Sequence, residues 1–190
     1  MPMLEIGGFS VTTGGFVVKD PRQDDQDNQV AVQNARPGFW NAYVHQFEGL
    51  TCSLILVHES VNLAKNCPDW QESLGEIELK DDSIGIYNGA KVKSQHDDIL
   101  AGFTAMMAGE NGFVAGKFGV AAVAGESTSD CTVYVDTDAK ERVIAVKVEF
   151  WDEKEEWDTG DEDEGEDDSD SYANEYAGCL DKEEGDDGDE

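Results

Sequence analysis

The last forty residues, 151–190, constrain the fold of this chain more than any other feature. They contain 21 aspartate and glutamate residues against two lysines, a net charge of −19 within a total of −30. These like charges repel one another and little apolar surface is available for burial, so the segment cannot build a core of its own. The sequence therefore predicts a globular domain over residues 1–150, followed by a disordered acidic tail over residues 151–190.

The charge balance also limits the classes of partner. Residues 1–150 carry 22 acidic and 11 basic side chains, so the domain is acidic too. A strongly negative protein is repelled by nucleic acid and by anionic lipid, which argues against direct binding to either. It favours a basic protein or cations. Adaptation to high salt would also give an acidic chain, but it predicts acids spread over the whole surface rather than gathered at one end.

Three further features predict a cytoplasmic protein. The first residues, Met-Pro-Met-Leu-Glu-Ile, lack the basic and apolar regions of a signal peptide. No apolar run approaches the roughly 18 residues of a membrane span. The four cysteines have no CxxC spacing, which predicts reduced thiols rather than a zinc or redox motif; they are Cys52, Cys67, Cys131 and Cys179.

Short strands dominate the predicted secondary structure. Apolar residues on both sides of Gly14-Gly15 predict a strand, a tight hairpin turn and a second strand over residues 9–19. The continuous apolar run from Thr51 to His58 predicts a central strand buried on both faces. Cys131–Val135 and Arg142–Phe150 predict a closing hairpin. Further strands are expected within residues 30–32, 39–47, 76–79, 83–87 and 113–123.

One main helix is expected beside these strands. Ile99, Phe103 and Met106 form an apolar stripe at helical spacing, which predicts a helix over residues 97–109. Residues 68–74 are expected to add one or two helical turns, with Pro68 at the first position. The pattern predicts an α+β, β-dominated domain, either an antiparallel sandwich or a rolled sheet with one main helix.

Five stretches of strand and turn resemble an uncharacterised family of small bacterial and phage β-rich domains. They are Gly14–Pro21, Gly38–Val44, Asp82–Tyr87, Ser127–Val135 and Val143–Phe150. The resemblance covers about residues 10–150 and implies a β-rich fold and a bacterial or phage setting. Such domains often have Gly-Asp-Gly before a Tyr-x-Val strand, and residues 128–131 of this chain depart from that pattern. The resemblance implies no established activity.

Candidate catalytic and metal-binding residues are few. His58-Glu59 ends the buried strand, where a catalytic role is conceivable but a structural histidine is more common. Residues 125–129 resemble a GxSxG nucleophile motif but end in Ser129 instead of glycine. The acidic loop after the second strand lacks the EF-hand register; its carboxylates are Asp20, Asp24, Asp25 and Asp27. The sequence therefore predicts no enzymatic activity, no cofactor and no formed metal site.

Aromatic residues within the tail are candidate anchors for a partner. Tyr172, Tyr176 and either Cys179 or Leu180 have helical spacing, which is compatible with a solvated tail or with a short helix that folds on binding. The predicted partner-binding residues combine aromatic, apolar and acidic positions: Trp151, Trp157, Asp161, Asp163, Asp167, Asp168, Tyr172, Tyr176 and Leu180.

Two functions follow from this composition. The first is an acidic inhibitor that occupies the basic surface of a nucleic-acid-binding or defence protein, as a DNA mimic does, in the host cytoplasm if a phage encodes it. The second is an immunity or chaperone-like protein that neutralises one basic toxin or client. Neighbouring genes would separate them, since a toxin gene favours immunity and phage early genes favour inhibition. The oligomeric state is left open by the sequence.

Overall fold

Two antiparallel sheets make up the described part of the chain. The computed structural model describes residues 3–12, 14–22, 28–47, 49–63, 65, 67–70, 72–79, 82–91, 101–102, 104, 112–124 and 129–150. These residues contain eleven strands: β1 Met3–Val11, β2 Gly15–Lys19, β3 Gln29–Gln33, β4 Gly38–Phe47, β5 Leu50–His58, β6 Glu72–Glu78, β7 Ser83–Asn88, β8 Phe113–Ala115, β9 Gly119–Val123, β10 Asp130–Thr137 and β11 Val143–Glu149. The prediction of a β-dominated antiparallel fold is confirmed.

The strand order places β5 and β11 at the centre of one sheet. The six-stranded sheet has the order β1-β4-β5-β11-β10-β6, and the five-stranded sheet has the order β3-β2-β7-β9-β8. Strand β5 therefore lies between β4 and β11, and every residue from Thr51 to His58 is buried. The prediction of a central strand buried on both faces is confirmed.

Both sheets contribute to one hydrophobic core. Phe9 of β1 packs edge-on against Phe16 of β2 at 6.0 Å between ring centroids, and Phe16 packs edge-on against Trp40 of β4 at 4.7 Å. The buried Trp40 indole also donates a hydrogen bond to the Arg36 carbonyl at 3.0 Å. This arrangement buries large aromatic surface while leaving the indole N–H paired, as a buried tryptophan requires. We call the faces that carry this core inner faces, and the opposite faces outer faces.

The closing hairpin is also confirmed. Strands β10 and β11 pair antiparallel, with Val133 opposite Val148 and Val135 opposite Val146. All four valines are buried in the shared core. Since residues directly opposite one another point to the same face, this register also fixes the outer face, which carries Thr132, Tyr134, Lys147 and Glu149.

The predicted hairpin at Gly14-Gly15 is wrong. Strand β1 pairs with β4, whereas β2 pairs with β3 and β7 in the other sheet. The turn at Gly14, with φ of 89°, therefore carries the chain from one sheet to the other. The Gly-Gly pair supplies the conformational freedom for a sharp turn, but it does not determine whether the two flanking strands pair with each other.

The helical turns predicted over residues 68–74 are also wrong. Strand β6 begins at Glu72, and Ser73 pairs with Tyr134 of β10. Pairing with a neighbouring strand thus outweighs the local helical preference of these residues. The predicted strand over residues 76–79 is the second half of β6.

The predicted main helix falls mostly outside the described residues. Ala101, Gly102 and Thr104 are helical, and the rest of residues 97–109 is not described. The helix therefore stays a prediction. Among the described residues, we find no helix with the length and apolar character that crossing a membrane would require.

Candidate acidic interaction surface

Four carboxylates lie on the outer face of the six-stranded sheet, at the end where β11 finishes. The register places Thr132 opposite both Glu149 and Glu76, so these three residues form one row across three strands. Asp130 and Glu78 face each other in the next row. Neighbouring strands lie about 4.8 Å apart and successive rows on one face about 6.7 Å apart, so the four carboxylates form one cluster. We call Glu76, Glu78, Asp130 and Glu149 the acidic patch.

The patch faces solvent at the edge of the sheet. Glu76, Glu78 and Asp130 are exposed, and β6 is the edge strand. Among the described residues, none of these three carboxylates forms an ion pair. Exposed acids on an edge strand prevent unwanted strand addition by another chain, and they also present negative charge to any basic partner.

One member of the patch, Glu149, forms an ion pair with Lys147. The Lys147 ammonium pairs with Glu149 Oε1 at 2.7 Å, and the lysine is only 8% exposed. It also lies 4.7 Å from the ring centroid of Tyr134 and 5.7 Å from that of Trp70. Lys147 thus compensates one member of the patch from within the fold, through a charge-assisted hydrogen bond and cation–π contacts.

The acidic tail starts at the same end of the sheet. Glu149 is the last residue of β11, and the amide of the buried Phe150 donates to the Cys52 carbonyl at 2.9 Å. The chain is therefore fixed to the sheet up to the residue before the tail. Residue 151 follows Phe150 along the chain, so the described fold ends at the same end of the sheet as the acidic patch.

The predicted partner-binding residues cannot be placed in the described fold. All nine, from Trp151 to Leu180, lie outside the described residues. The acidic patch could not be predicted from the sequence, because its members come from three strands. The alternation of Glu76 and Glu78 on either side of Ile77 was a local signal for one strand, but only the β6–β10 register shows that Asp130 lies opposite Glu78.

His58 is held by hydrogen bonds at both ring nitrogens. Its Nε2 lies 3.0 Å from the Pro37 carbonyl oxygen, which can only accept, so Nε2 carries the proton. Its Nδ1 accepts from the Ser60 hydroxyl at 2.8 Å and from the Ser60 amide at 3.1 Å. The ring is 3% exposed and packs edge-on against Trp40. This geometry favours the structural role, because the imidazole is oriented by the loop contacts on both sides.

Gly38 shows how closely the backbone approaches His58. Its φ is 146°, and an added Cβ would overlap Nε2 of the imidazole. The neighbouring Phe39 amide donates to Glu59 Oε1 at 3.1 Å. His58 and Glu59, at the end of β5, therefore pack against the start of β4. The close approach of His58 requires a glycine at position 38 of β4.

The other candidate sites are described only in part. Residues 125–128 of the GxSxG-like stretch lie outside the described residues, and so do Asp24, Asp25 and Asp27. Asp20 is fully buried, and its Oδ1 accepts from the Arg22 amide at 2.8 Å. Within the described part of the chain, no group of three or more His, Cys, Asp or Glu side chains is arranged to hold a metal ion.

The cysteines differ from the prediction of four reduced thiols. Cys52 and Cys131 are buried free thiols, but Cys67 is disulfide-bonded. The remaining cysteine of the chain, Cys179, lies outside the described residues. The absence of CxxC spacing rules out only one local arrangement of paired cysteines, so it could not establish that all four thiols are reduced. The prediction of a cytoplasmic location loses the support that it drew from reduced thiols.

Comparisons with known proteins identify no relative of this chain. No family model matches it, and neither a curated protein nor a solved structure matches it. The resemblance to small bacterial and phage β-rich domains therefore stays a prediction, and the function is argued from the residues themselves.

Proposed function

We propose that this chain is a non-enzymatic acidic binding protein that occupies the basic surface of a nucleic-acid-binding or defence protein, in the manner of a DNA mimic. The observation that carries the proposal is the position of the acidic patch at the end of the sheet where the tail begins. The four carboxylates of the patch and the many acids of residues 151–190 would then meet one partner from the same direction. The setting that we propose is that of a phage-encoded inhibitor in the host cytoplasm.

The charge density of the tail supports this proposal. Duplex DNA presents about one negative charge per 1.7 Å of its axis. A helix of forty residues would be about 60 Å long, at about 1.5 Å per residue. The net charge of −19 in residues 151–190 comes within about a factor of two of that density. A basic groove built for DNA would therefore attract this segment strongly at low ionic strength.

The finer architecture belongs to the same proposal. We propose that the two sheets form a sandwich around the shared core, and that residues 97–109 form the main helix. The domain would end at residue 150, directly after the last residue of β11, Glu149, and the tail would act as a separate binding element. The predicted anchors within it are Trp151, Trp157, Tyr172, Tyr176 and Leu180, with Asp161, Asp163, Asp167 and Asp168 as acidic contacts.

The first test is capture of partners from host lysate by the full chain and by a chain truncated after Asp152. We expect the full chain to retain basic nucleic-acid-binding proteins that the truncated chain loses. Retention should weaken as salt rises, because the Debye length is near 10 Å at 0.1 M and shorter above it, and added DNA should compete. Since Cys67 is disulfide-bonded, a full-length Cys67→Ser variant controls for loss of that bond in the truncated chain.

The outcomes of this capture separate the candidate functions. Binding that is insensitive to both salt and DNA would exclude the DNA-mimic mechanism. Retention of one basic toxin would support the immunity alternative instead. Equal retention by the truncated chain would show that the tail is not the binding element.

A second test separates recognition from simple charge. The double substitution Tyr172→Ala and Tyr176→Ala leaves the net charge unchanged, and it should weaken binding by about 1–4 kcal/mol if both rings are anchors. A tail of identical composition with a shuffled sequence is the matched control. If the shuffled tail binds as well as the natural one, the tail acts only as a polyanion and the anchor hypothesis is wrong.

A further inference from the structure

One cysteine of this chain forms a disulfide, and the other cysteines identify its partner by elimination. Cys67 is disulfide-bonded, whereas Cys52 and Cys131 are thiols that form no disulfide. The chain has four cysteines. Since a disulfide joins two cysteine sulfurs, the only residue left within the chain to pair with Cys67 is Cys179.

Cys67 is held at the outer face of the six-stranded sheet. In the connection between β5 and β6, three apolar side chains on both sides of Cys67 pack against buried side chains of β5 and β11; they are Val61, Leu63 and Trp70. Trp70 also lies 5.7 Å from the ammonium of Lys147, the lysine that pairs with Glu149 of the acidic patch. Cys67 itself is exposed. Its disulfide is therefore open to solvent at the face that carries the acidic patch.

The length of the chain allows Cys179 to reach this face. Phe150 is fixed to the sheet by the hydrogen bond from its amide to the Cys52 carbonyl. About thirty residues separate Phe150 from Cys179, and an extended chain of that length spans about 100 Å. A domain of about 150 residues has a radius of gyration of about 15 Å, which is much shorter. The pairing with Cys67 therefore requires no change in the described sheets.

We infer that a disulfide between Cys67 and Cys179 ties the acidic segment 151–190 to the outer face of the six-stranded sheet, and that reduction releases it. While the bond is intact, residues 151–178 form a closed loop with both ends attached at this sheet. After reduction, only the end at Phe150 remains attached. The redox state of one bond thus sets whether the tail is closed or open.

The exposure of Cys67 suits this bond to exchange with a dithiol reductant. One thiolate of the reductant attacks a sulfur of the disulfide, which breaks the bond between the two cysteines and forms a mixed disulfide. The second thiol of the reductant then displaces the protein sulfur. The protein gains two electrons and two protons, and the reductant leaves as a disulfide. Cys52 and Cys131 are each only 2% exposed, so neither thiol competes in the exchange.

Peptide mapping identifies the bonded pair directly. The full chain is alkylated at lysis, purified without reductant and digested with trypsin. Cleavage at the nearest lysines gives peptides 66–80 and 155–182, each with one of the two cysteines. We expect these peptides to appear as one linked species by mass spectrometry and to separate after addition of dithiothreitol. Reduced thiols at all four positions, or a link between the Cys67 peptides of two chains, would overturn the inference.

Thiol counts in urea provide a second measurement that needs no digestion. Without reductant, the wild-type chain should expose two reactive thiols, those of Cys52 and Cys131. Cys67→Ser and Cys179→Ser should each expose three, because each leaves one cysteine of the bond unpaired, and the double variant should return to two. A wild-type count of three or four would overturn the pairing, since Cys179 would then be reduced.

Release of the tail is measured by size-exclusion chromatography of the full chain at low salt. Addition of dithiothreitol should increase the hydrodynamic radius, because the repelling charges of residues 151–190 can then move away from the sheet. Cys67→Ser is the matched control, and its radius should not respond to the reductant. A wild-type radius that is unchanged by reduction would show that the bond does not restrain the tail.

The consequence for binding rests on the proposed function. A closed loop extends from the sheet by about half the length of the open segment at most, so fewer of its charges reach along a basic groove. Reduction should therefore raise the affinity for an arginine-rich DNA-binding peptide by about threefold or more at low salt, and Cys67→Ser should bind equally in both states. Equal wild-type affinity before and after reduction would overturn control of binding by this bond. Absence of binding in both states would contradict the proposed function instead, while peptide mapping still decides the disulfide.

Discussion

The two ends of the β10–β11 hairpin differ in whether their carboxylates are paired with cations. At the turn, Asp138 accepts from the Lys140 and Arg142 amides and from Arg142 Nε and Nη2, the last at 2.6 Å. A second guanidinium, that of Arg36, lies 4.0 Å away. At the other end, where β11 finishes and which we call the open end, the acidic patch holds four carboxylates, of which only Glu149 pairs with a described cation, Lys147. The same hairpin thus neutralises a single acid at one end and accumulates acids at the other.

This difference separates a structural role from an interaction role for acidic residues. The hydrogen bonds from Arg142 hold the pKa of Asp138 at about 2, so its charge is used to close the turn. Glu76, Glu78 and Asp130 have no such partners among the described residues. Charge that is not used within the fold is available to an external cation, which is why the open end is the candidate surface.

The largest effect on stability is expected from the buried valine pairs in the middle of the β10–β11 hairpin. Val148 is fully buried opposite Val133, so Val148→Ala should lower the free energy of unfolding by about 2–3 kcal/mol. Chemical denaturation measures this loss. Thr132→Ala on the outer face of the same hairpin is the control and should cost about 0.5 kcal/mol or less. Equal costs for the two substitutions would mean that this row does not hold the hairpin.

The next effect concerns binding by the open end. Glu76→Lys with Glu78→Lys should weaken binding to an arginine-rich DNA-binding peptide by about tenfold at low salt, or about 1.4 kcal/mol. Fluorescence anisotropy with the full chain measures the affinity. Glu5→Lys with Glu141→Lys changes the net charge equally but lies away from the patch, and should alter affinity about twofold or less. Identical losses would show that only total charge matters.

The turn end should show its own dependence on pH. The pKa of Asp138 is lowered from 3.8 to about 2, so its stabilising contribution is present above about pH 3.8 and is lost as pH falls towards 2. The difference in Tm between wild type and Asp138→Asn should therefore be constant near neutral pH and shrink below pH 4. Glu141→Gln in the same turn is the control. A difference that is unchanged at pH 2 would contradict the role of the Arg142 hydrogen bonds.

The smallest effect is expected for the reactivity of the buried Cys131 thiol, which follows Asp130 of the acidic patch. Burial, and to a lesser degree the charge of Asp130, raises the pKa of Cys131 to about 12. Cys131 should therefore resist iodoacetamide at pH 8 in the native protein, and Asp130→Asn should change the rate by less than about threefold. Mass spectrometry of native and urea-unfolded samples measures this protection. Rapid labelling of the native protein would show that the Cys131 thiol is accessible to the reagent, which contradicts the prediction.

Local patterns predicted those parts of the fold that depend on neighbours in sequence. The apolar run of β5 and the alternating valines of β10 and β11 identified both strands, because burial on one or two faces leaves a periodic signal. The direction of the chain at Gly14 could not be predicted this way, since pairing of β1 with β4 and of β2 with β7 depends on distant strands. The start of β6 was predicted as helical turns for the same reason, because its pairing with β10 depends on a distant strand.

The candidate site also combines a feature that is local in the sequence with one that depends on distant strands. The excess of acids in residues 151–190 is visible in the composition, and it identified the class of partner to consider. The patch required the register of three strands, because Glu149, Glu76 and Asp130 are far apart along the chain. The disulfide of Cys67 could not be predicted from cysteine spacing either.

The crossing at Gly14 has a consequence for the folding kinetics. Because β1 and β2 do not pair with each other, the first strand cannot be stabilised by a fast local hairpin. It must wait for β4, and β5 must wait for β11, which is synthesised some ninety residues later. Such distant pairings carry a large loop-closure entropy and slow the folding of β proteins. We expect the hairpins β4–β5 and β10–β11 to form first and the N-terminal strand to dock late, so that a nascent chain exposes β5 until its last strand has left the ribosome.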